Sequence, residues 1–227
     1  MQTKVKMQNT LKPTLIWDFD GTIADTFTPT MSILRQEYER WGDEFHRRHT
    51  INQLRSLTIT QIVRTIPGGW WKFIYLLYKA KKHLRQTAHQ IKPYPGAIYT
   101  LRTLHDQDYP MYIVSSNNLE TIAHFLHQYH LDDVFLDVIT TGGFWRKAKT
   151  LRQLIRHEKI DQTNAYYLGD EIRDIQACHR LKLPIISVTY GYNSAEGLKK
   201  FTPTHMIKKP TQLLQLLPKL QRQKDSA

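Results

Sequence analysis

Along this chain short apolar runs alternate with helix-spaced apolar stripes, and several runs stop abruptly at small or charged groups. Leu15-Ile16-Trp17 ends at Asp18-Phe19-Asp20-Gly21-Thr22, the run 111–114 ends at Ser115-Ser116-Asn117, and 165–168 ends at Gly169-Asp170. Runs 134–139 and 184–188, with a short edge segment 205–207, are also strand-like. Between them lie a stretch beginning near Pro95 and a segment opened by Asn118, with Ile122, Phe125, Leu126 and Tyr129 on one face. Segments 148–157 and 172–181 share this 3.6-residue period. Strands alternating with helices of this length predict an α/β fold with a Rossmann-like parallel sheet covered by helices on both faces.

Residues 26–92 break the rhythm. Thr28-Pro29 reads as an N-cap followed by proline in the first turn, and Met31, Leu34, Tyr38 and Trp41 follow at helical spacing. Leu54, Leu57, Ile62 and Val63 continue an α pattern, and 70–85 forms another helix after the Pro67-Gly68-Gly69 break. This predicts an all-helical insertion after the first strand, hinged near 25–27 and 92–95. The core would then comprise 1–25 and 93–227, and 221–227 would be a frayed tail.

The places where apolar runs stop carry the candidate chemistry. Burying ionised carboxylates is costly unless they are paired or bound to a metal, and ligands sit at the carboxyl ends of strands in open α/β sheets. Asp18 and Asp20, two apart on a strand, point the same way. They suit a nucleophile beside a proton donor, or two ligands of one hard cation. Asp-x-Asp-Gly also occurs in turns. A second acidic cluster, Asp170-Glu171-Ile172-Arg173-Asp174, follows another apolar run, and Arg146-Lys147-Ala148-Lys149 supplies cations. Asp174, one turn into a helix, suits a metal-bound water or the helix N-terminus.

In these motifs the chain resembles the haloacid dehalogenase-like superfamily of phosphotransferases. Asp18-Phe19-Asp20-Gly21-Thr22 looks like the family's first motif and Ser116-Asn117 the second. Lys147 resembles the third, and Gly169-Asp170 with Asp174 the fourth. The likeness runs from about Leu15 to about Gly191, and the insert followed by Tyr94-Pro95-Gly96 is similar to the phosphoglycolate-phosphatase-like branch. It implies a Mg²⁺-dependent phosphatase acting on a small phosphorylated metabolite. Asp18 would be the nucleophile, Asp20 the acid/base, and Ser116 and Lys147 stabilisers of the phosphoryl group. Asp18, the Asp20 carbonyl, Asp170 and Asp174 would hold the metal. Gly21, Thr22 and Asn117 would line the phosphate, and the insertion would act as a cap. Ser115 is an alternative to Ser116, and Arg146 and Lys149 are rivals of Lys147. A phosphomutase would use the same groups, and a phospho-accepting signalling module similar ones. Dehalogenases of this superfamily lack the second acid.

Charge adds one feature. The chain has 32 Lys+Arg against 20 Asp+Glu, a net of +12, and residues 26–92 carry +8 of it, with 12 Lys/Arg and 4 Asp/Glu. No acid occurs between Glu44 and Asp106, whereas Arg47, Arg48, Arg55, Arg64, Lys72 and Lys79 all fall there. Such a field attracts anions, and Arg55 and Arg64 are the candidate substrate ligands, although a solvated face explains most of these charges. No nucleic-acid motif accompanies the charge, so DNA or RNA is not expected as a partner. The lysine-flanked run 70–78 is compatible with a membrane surface, but a buried cap helix or dimer contact accounts for it more simply. His124, His127 and His130 read as solvated. One cysteine, Cys178, fits a reducing compartment, and no run reaches the ~20 apolar residues of a spanning helix. With no apolar signal segment before Leu11, a cytoplasmic location is expected. Oligomeric state is not legible.

Overall fold

The computed structural model describes residues 12–40, 50–143 and 145–225. Trp41, Arg47, Arg48, the start of the chain through Leu11 and the last two residues lie outside them. Six parallel strands form the central sheet: β1 (Thr14–Trp17), β4 (Met111–Ser115), β5 (Asp137–Thr140), β6 (Ala165–Gly169), β7 (Ile185–Val188) and β8 (His205–Ile207). Their spatial order is β5-β4-β1-β6-β7-β8, with Trp17 beside Ile113 on one side and Leu168 on the other. The strand carrying the first acidic motif is therefore central.

Period-two alternation divides the core between the two faces of the sheet. Leu15 and Trp17 pack with Leu101, Met111, Phe125 and Leu213. Ile16 points the other way, among Tyr112, Leu151, Ile155, Tyr167 and Ile175. After the four described helices of residues 27–40 and 51–86, the covering helices are α5 (Ala97–Asp106), α6 (Leu119–Gln128), α7 (Lys147–His157), α8 (Ile172–Leu181), α9 (Ala195–Lys199) and α10 (Leu213–Asp225). Asn118 caps α6 by accepting from the Thr121 amide at 3.0 Å. Two boundaries move from the expectation. Val134 is buried but lies in a turn, so β5 begins at Asp137; and α10 continues to Asp225 where a frayed tail was expected.

Between β1 and α5 the described residues form the helices α1 (Phe27–Arg40), α2 (Ile51–Arg55), α3 (Ile59–Thr65) and α4 (Gly69–Gln86). A small cluster of Val63, Ile66, Phe73 and Leu76 binds it together. At its base, β2 (Ala24–Asp25) pairs antiparallel with β3 (Lys92–Pro93), a two-residue ladder too short to read from sequence. Helix α1 starts at Phe27, ahead of the expected Thr28 cap, because the Asp25 carboxylate accepts from the Thr28 amide and hydroxyl at 3.1 and 2.9 Å. The aromatic run of α4 is only half buried. Phe73 and Leu76 face inward, whereas Trp71, Ile74 and Tyr78 are exposed, Trp71 at 88%. No helix among the described residues is long and apolar enough to cross a membrane.

Candidate active site

The ends of β1, β4 and β6 converge at one edge of the sheet. Asp18 directly follows β1, and its amide donates to Leu168 O at 2.8 Å, extending the ladder to the last residue before the chemistry. Asp170 directly follows β6, and Asp174 lies in the first turn of α8. All three acids are buried, and one carboxylate oxygen from each lies within 4.8 Å of the others. Lys147, the first residue of α7, reaches across with Nζ 2.5 Å from Asp18 Oδ2 and 2.7 Å from Asp174 Oδ1. Of the three candidate cations near residue 147, this is the one brought to the acids; Arg146 and Lys149 are not buried.

Three buried carboxylates against one ammonium leave an excess of negative charge. Burial pushes the Asp18 carboxyl up to about 7, with Lys147 opposing and Asp174 reinforcing the shift. Asp170 is driven well above the usual carboxylate range by burial and then by Glu171 and Asp18. Burial works against charge on Lys147, but Asp174 and Asp18 outweigh it and its pKa rises. Hard oxygen donors held together with unneutralised charge suit a divalent cation such as Mg²⁺. The donor set fits that group: Asp18, Asp170 and Asp174 would hold it.

Asp170 is fixed from three sides. Thr22 Oγ1 donates to its Oδ1 at 3.0 Å and the Tyr192 amide donates to its Oδ2 at 2.6 Å. Gly21, at φ +74°, and Gly191 crowd against it so closely that a Cβ on either would overlap Oδ2. Absence of a side chain at both positions is what lets this carboxylate turn toward Asp18. Thr22, expected to line the phosphate, is buried and directed to Asp170. The loop 191–194 was not anticipated. It holds Asp170 through backbone atoms, caps α8 by Asn193 Oδ1 accepting from the Ile172 amide at 2.9 Å, and leaves only one glycine as a sequence trace.

Asp20 stands apart from the three-acid cluster, facing a cavity, and accepts from Asn117 Nδ2 at 2.9 Å. Burial raises its pKa, opposed by hydrogen bonds from Thr26 and Asn117. Of the two candidate serines, Ser115 is buried and its hydroxyl accepts from the Asn117 amide at 3.1 Å. Ser116 lines the cavity, with its hydroxyl 3.4 Å from Arg173 Nη2. Glu171 and Arg173 are an ion pair lining the cavity, with side chains only 12% and 14% exposed. Arg55 lines the same cavity, but its guanidinium donates to Gly191 O at 2.7 Å and Tyr192 O at 3.2 Å. Arg64 is exposed and is not among the lining residues.

The model of the haloacid dehalogenase-like hydrolase family matches residues 15–188, a span that includes every one of these acids. The chain belongs to the haloacid dehalogenase-like hydrolases. By that membership it is a hydrolase. It is 28% identical to the phosphoglycolate phosphatase of Synechococcus elongatus, over 92% of this chain and 99% of that one. It is 24% identical to a pyrophosphatase of Listeria welshimeri, over 90% and 95%. Its fold is similar to a haloacid dehalogenase-like family hydrolase from Streptococcus pneumoniae, with a TM-score of 0.65, 17% identity, and coverage of 90% and 97%.

Proposed function

We propose that this hydrolase is a Mg²⁺-dependent phosphatase that releases phosphate from a small phosphate monoester through an aspartyl-phosphate on Asp18, in the cytosol. The observation that carries this reading is the convergence of Asp18, Asp170, Asp174 and Lys147 at one sheet edge, with Asp20 a short step away on the cavity side. Mg²⁺, when bound, supplies the positive charge that lets an anionic nucleophile approach an anionic ester.

In the first step an Asp18 oxygen forms a bond to phosphorus while the bond from phosphorus to the ester oxygen breaks, and protonated Asp20 gives its proton to the departing alkoxide. In the second step water attacks phosphorus, Asp20 takes its proton, and the acyl-phosphate bond breaks to return free Asp18. Lys147 and the Ser116 hydroxyl stabilise charge on the transferred group. Asn117 orients Asp20, and Gly21 gives the backbone room to approach. Residues 26–92 act as the cap, tied to the core by Arg55 and the hinge ladder at Asp25 and Lys92. One relative, named a phosphoglycolate phosphatase, supports a phosphate ester as substrate; the other, named a pyrophosphatase, supports only hydrolysis at phosphorus, since pyrophosphate is an anhydride.

The test is phosphate release from a panel of phosphate monoesters with Mg²⁺ and with EDTA. Turnover that requires Mg²⁺ and disappears in Asp18→Asn is expected; full turnover in EDTA would rule the reading out.

A further inference from the structure

Beside the acids a cavity of about 230 Å³ opens and runs in among helices α1 to α4. Its core-side end is polar, formed by Asp20, Ser116, Asn117, Glu171 and Arg173. Its other walls come from α1 to α4 and the turn between α2 and α3, and include Leu34, Leu57, Ile62, Phe73 and Leu77. Among the described residues, only three polar ones from these helices line it, and all three are directed to the core end. Thr30 Oγ1 meets Tyr192 OH at 3.0 Å, the Arg55 guanidinium meets the carbonyls of Gly191 and Tyr192, and Lys81 Nζ donates to Ser116 O at 3.1 Å. The cavity is therefore a one-way gradient from phosphate-handling groups to hydrocarbon.

Protein interiors hold few voids larger than a water molecule, and a cavity walled by hydrocarbon does not hold water well. An engineered apolar cavity of ~150 Å³ accommodates benzene, so this one has room for a longer chain. Neither phosphoglycolate nor pyrophosphate has a hydrocarbon tail to place there. The leaving group of a phosphate ester departs on the side of Asp20, which is the residue at the head of the cavity.

From this polarity gradient we infer that the substrate is an amphiphilic phosphate monoester: a phosphate on an aliphatic alcohol, its head at Asp18 and Asp20 and its tail in the cavity between α1, α3 and α4. The inference rests on the phosphatase reading for the chemistry at the head, and on the cavity walls alone for the tail.

The experiment is a chain-length series. With Mg²⁺ and the whole protein, kcat/KM is measured for ethyl, butyl, hexyl and octyl phosphate below their micelle concentrations. It should climb by about fourfold per added methylene until the cavity is full, the gain expected for moving a methylene out of water. A value that is flat or falls from ethyl to octyl, while phosphate is still released, overturns the inference and leaves the phosphatase reading standing. Ala80, in α4, lines the cavity; Ala80→Phe would fill it and should lower the octyl-to-ethyl ratio at least tenfold. An unchanged ratio in a folded variant counts against the tail site, and if the variant does not fold the wild-type series decides. Should no ester release phosphate, the catalytic reading fails, and calorimetry with octylphosphonate and ethylphosphonate tests the cavity by itself. At least tenfold tighter binding of the octyl compound sustains the tail site, and equal or absent binding overturns it.

Discussion

Asn117 donates an amide N–H to Asp20 across 2.9 Å, joining the turn after β4 to the turn after β1. That hydrogen bond favours the ionised carboxylate and opposes the burial that holds its proton on. As the proposed general acid, Asp20 must be protonated for the ester bond to break, so activity should be lost as pH rises through its pKa. Asn117→Ala removes one of the two hydrogen bonds opposing the shift, and Asp20 should then hold its proton to higher pH. The alkaline limb of the kcat/KM profile is expected to move up. A limb that stays in place, or moves down, would falsify the assignment of this limb to Asp20.

For Asp18, substitution by asparagine keeps shape and removes the nucleophile. Turnover should fall by about 10⁴-fold or more, in the range seen when a covalent nucleophile is deleted. The fold should persist, because Lys147 retains Asp174 as a partner. Circular dichroism and single-turnover assays on the same preparation separate the two effects, and substantial burst activity in this variant would remove Asp18 from its role.

How far the sequence could be read depended on which atoms do the work. Asp18, Asp170 and Lys147 are legible because each is a charged side chain at the end of an apolar run or the start of an apolar-striped helix. Gly191 and Tyr192 were not legible, because they act through a carbonyl and an amide that every residue possesses. The starts of α2 and α3 carry a readable signal. Thr50 with Gln53 and Thr58 with Gln61 are reciprocal caps of the Thr-x-x-Gln type. The outward face of α4 is not separable from its inward face in the sequence, for a different reason. Periodicity shows which residues share a face, but Trp71, Ile74 and Tyr78 are no less apolar than the buried Phe73 and Leu76.

Lys147→Met should be severe for stability as well as for activity. It strips the direct cationic partner from Asp18 and Asp174, both buried, and breaking a buried pair by removing one member costs about 3–5 kcal/mol. A urea midpoint within error of wild type would mean that the acids are neutralised by some other means. Mg²⁺ should recover part of the lost stability in this variant, because it would supply charge to the same carboxylates.

Gly191→Ala tests how Asp170 is held. The added methyl would overlap Asp170 Oδ2 and must push either the carboxylate or the loop 191–194 away. Mg²⁺ affinity, read by calorimetry, should weaken at least tenfold, the scale on which disturbing the support of a metal ligand is felt. Unaltered affinity would show that the carboxylate is not needed in its present place.

The acids also predict how pH and metal act together on stability. Asp18 has a folded-state pKa of about 7, above its ordinary 3.8, so the folded protein binds the extra proton between those values. For such a group the unfolded chain holds fewer protons, and unfolding free energy falls as pH rises. The loss therefore begins near the ordinary value and is complete once pH exceeds the folded one; Asp170, shifted in the same direction, extends it upward. Metal-free protein should accordingly lose stability between about pH 4 and pH 7 from this source. Mg²⁺ competes with protons for the same oxygens, so it binds the folded state better where the acids are ionised. The rise in Tm on adding saturating Mg²⁺ should be clearly larger at pH 8 than at pH 5. Equal rises at the two pH values would mean that the ion binds elsewhere, since Asp18 and Asp170 cannot accept it without giving up protons at the lower pH.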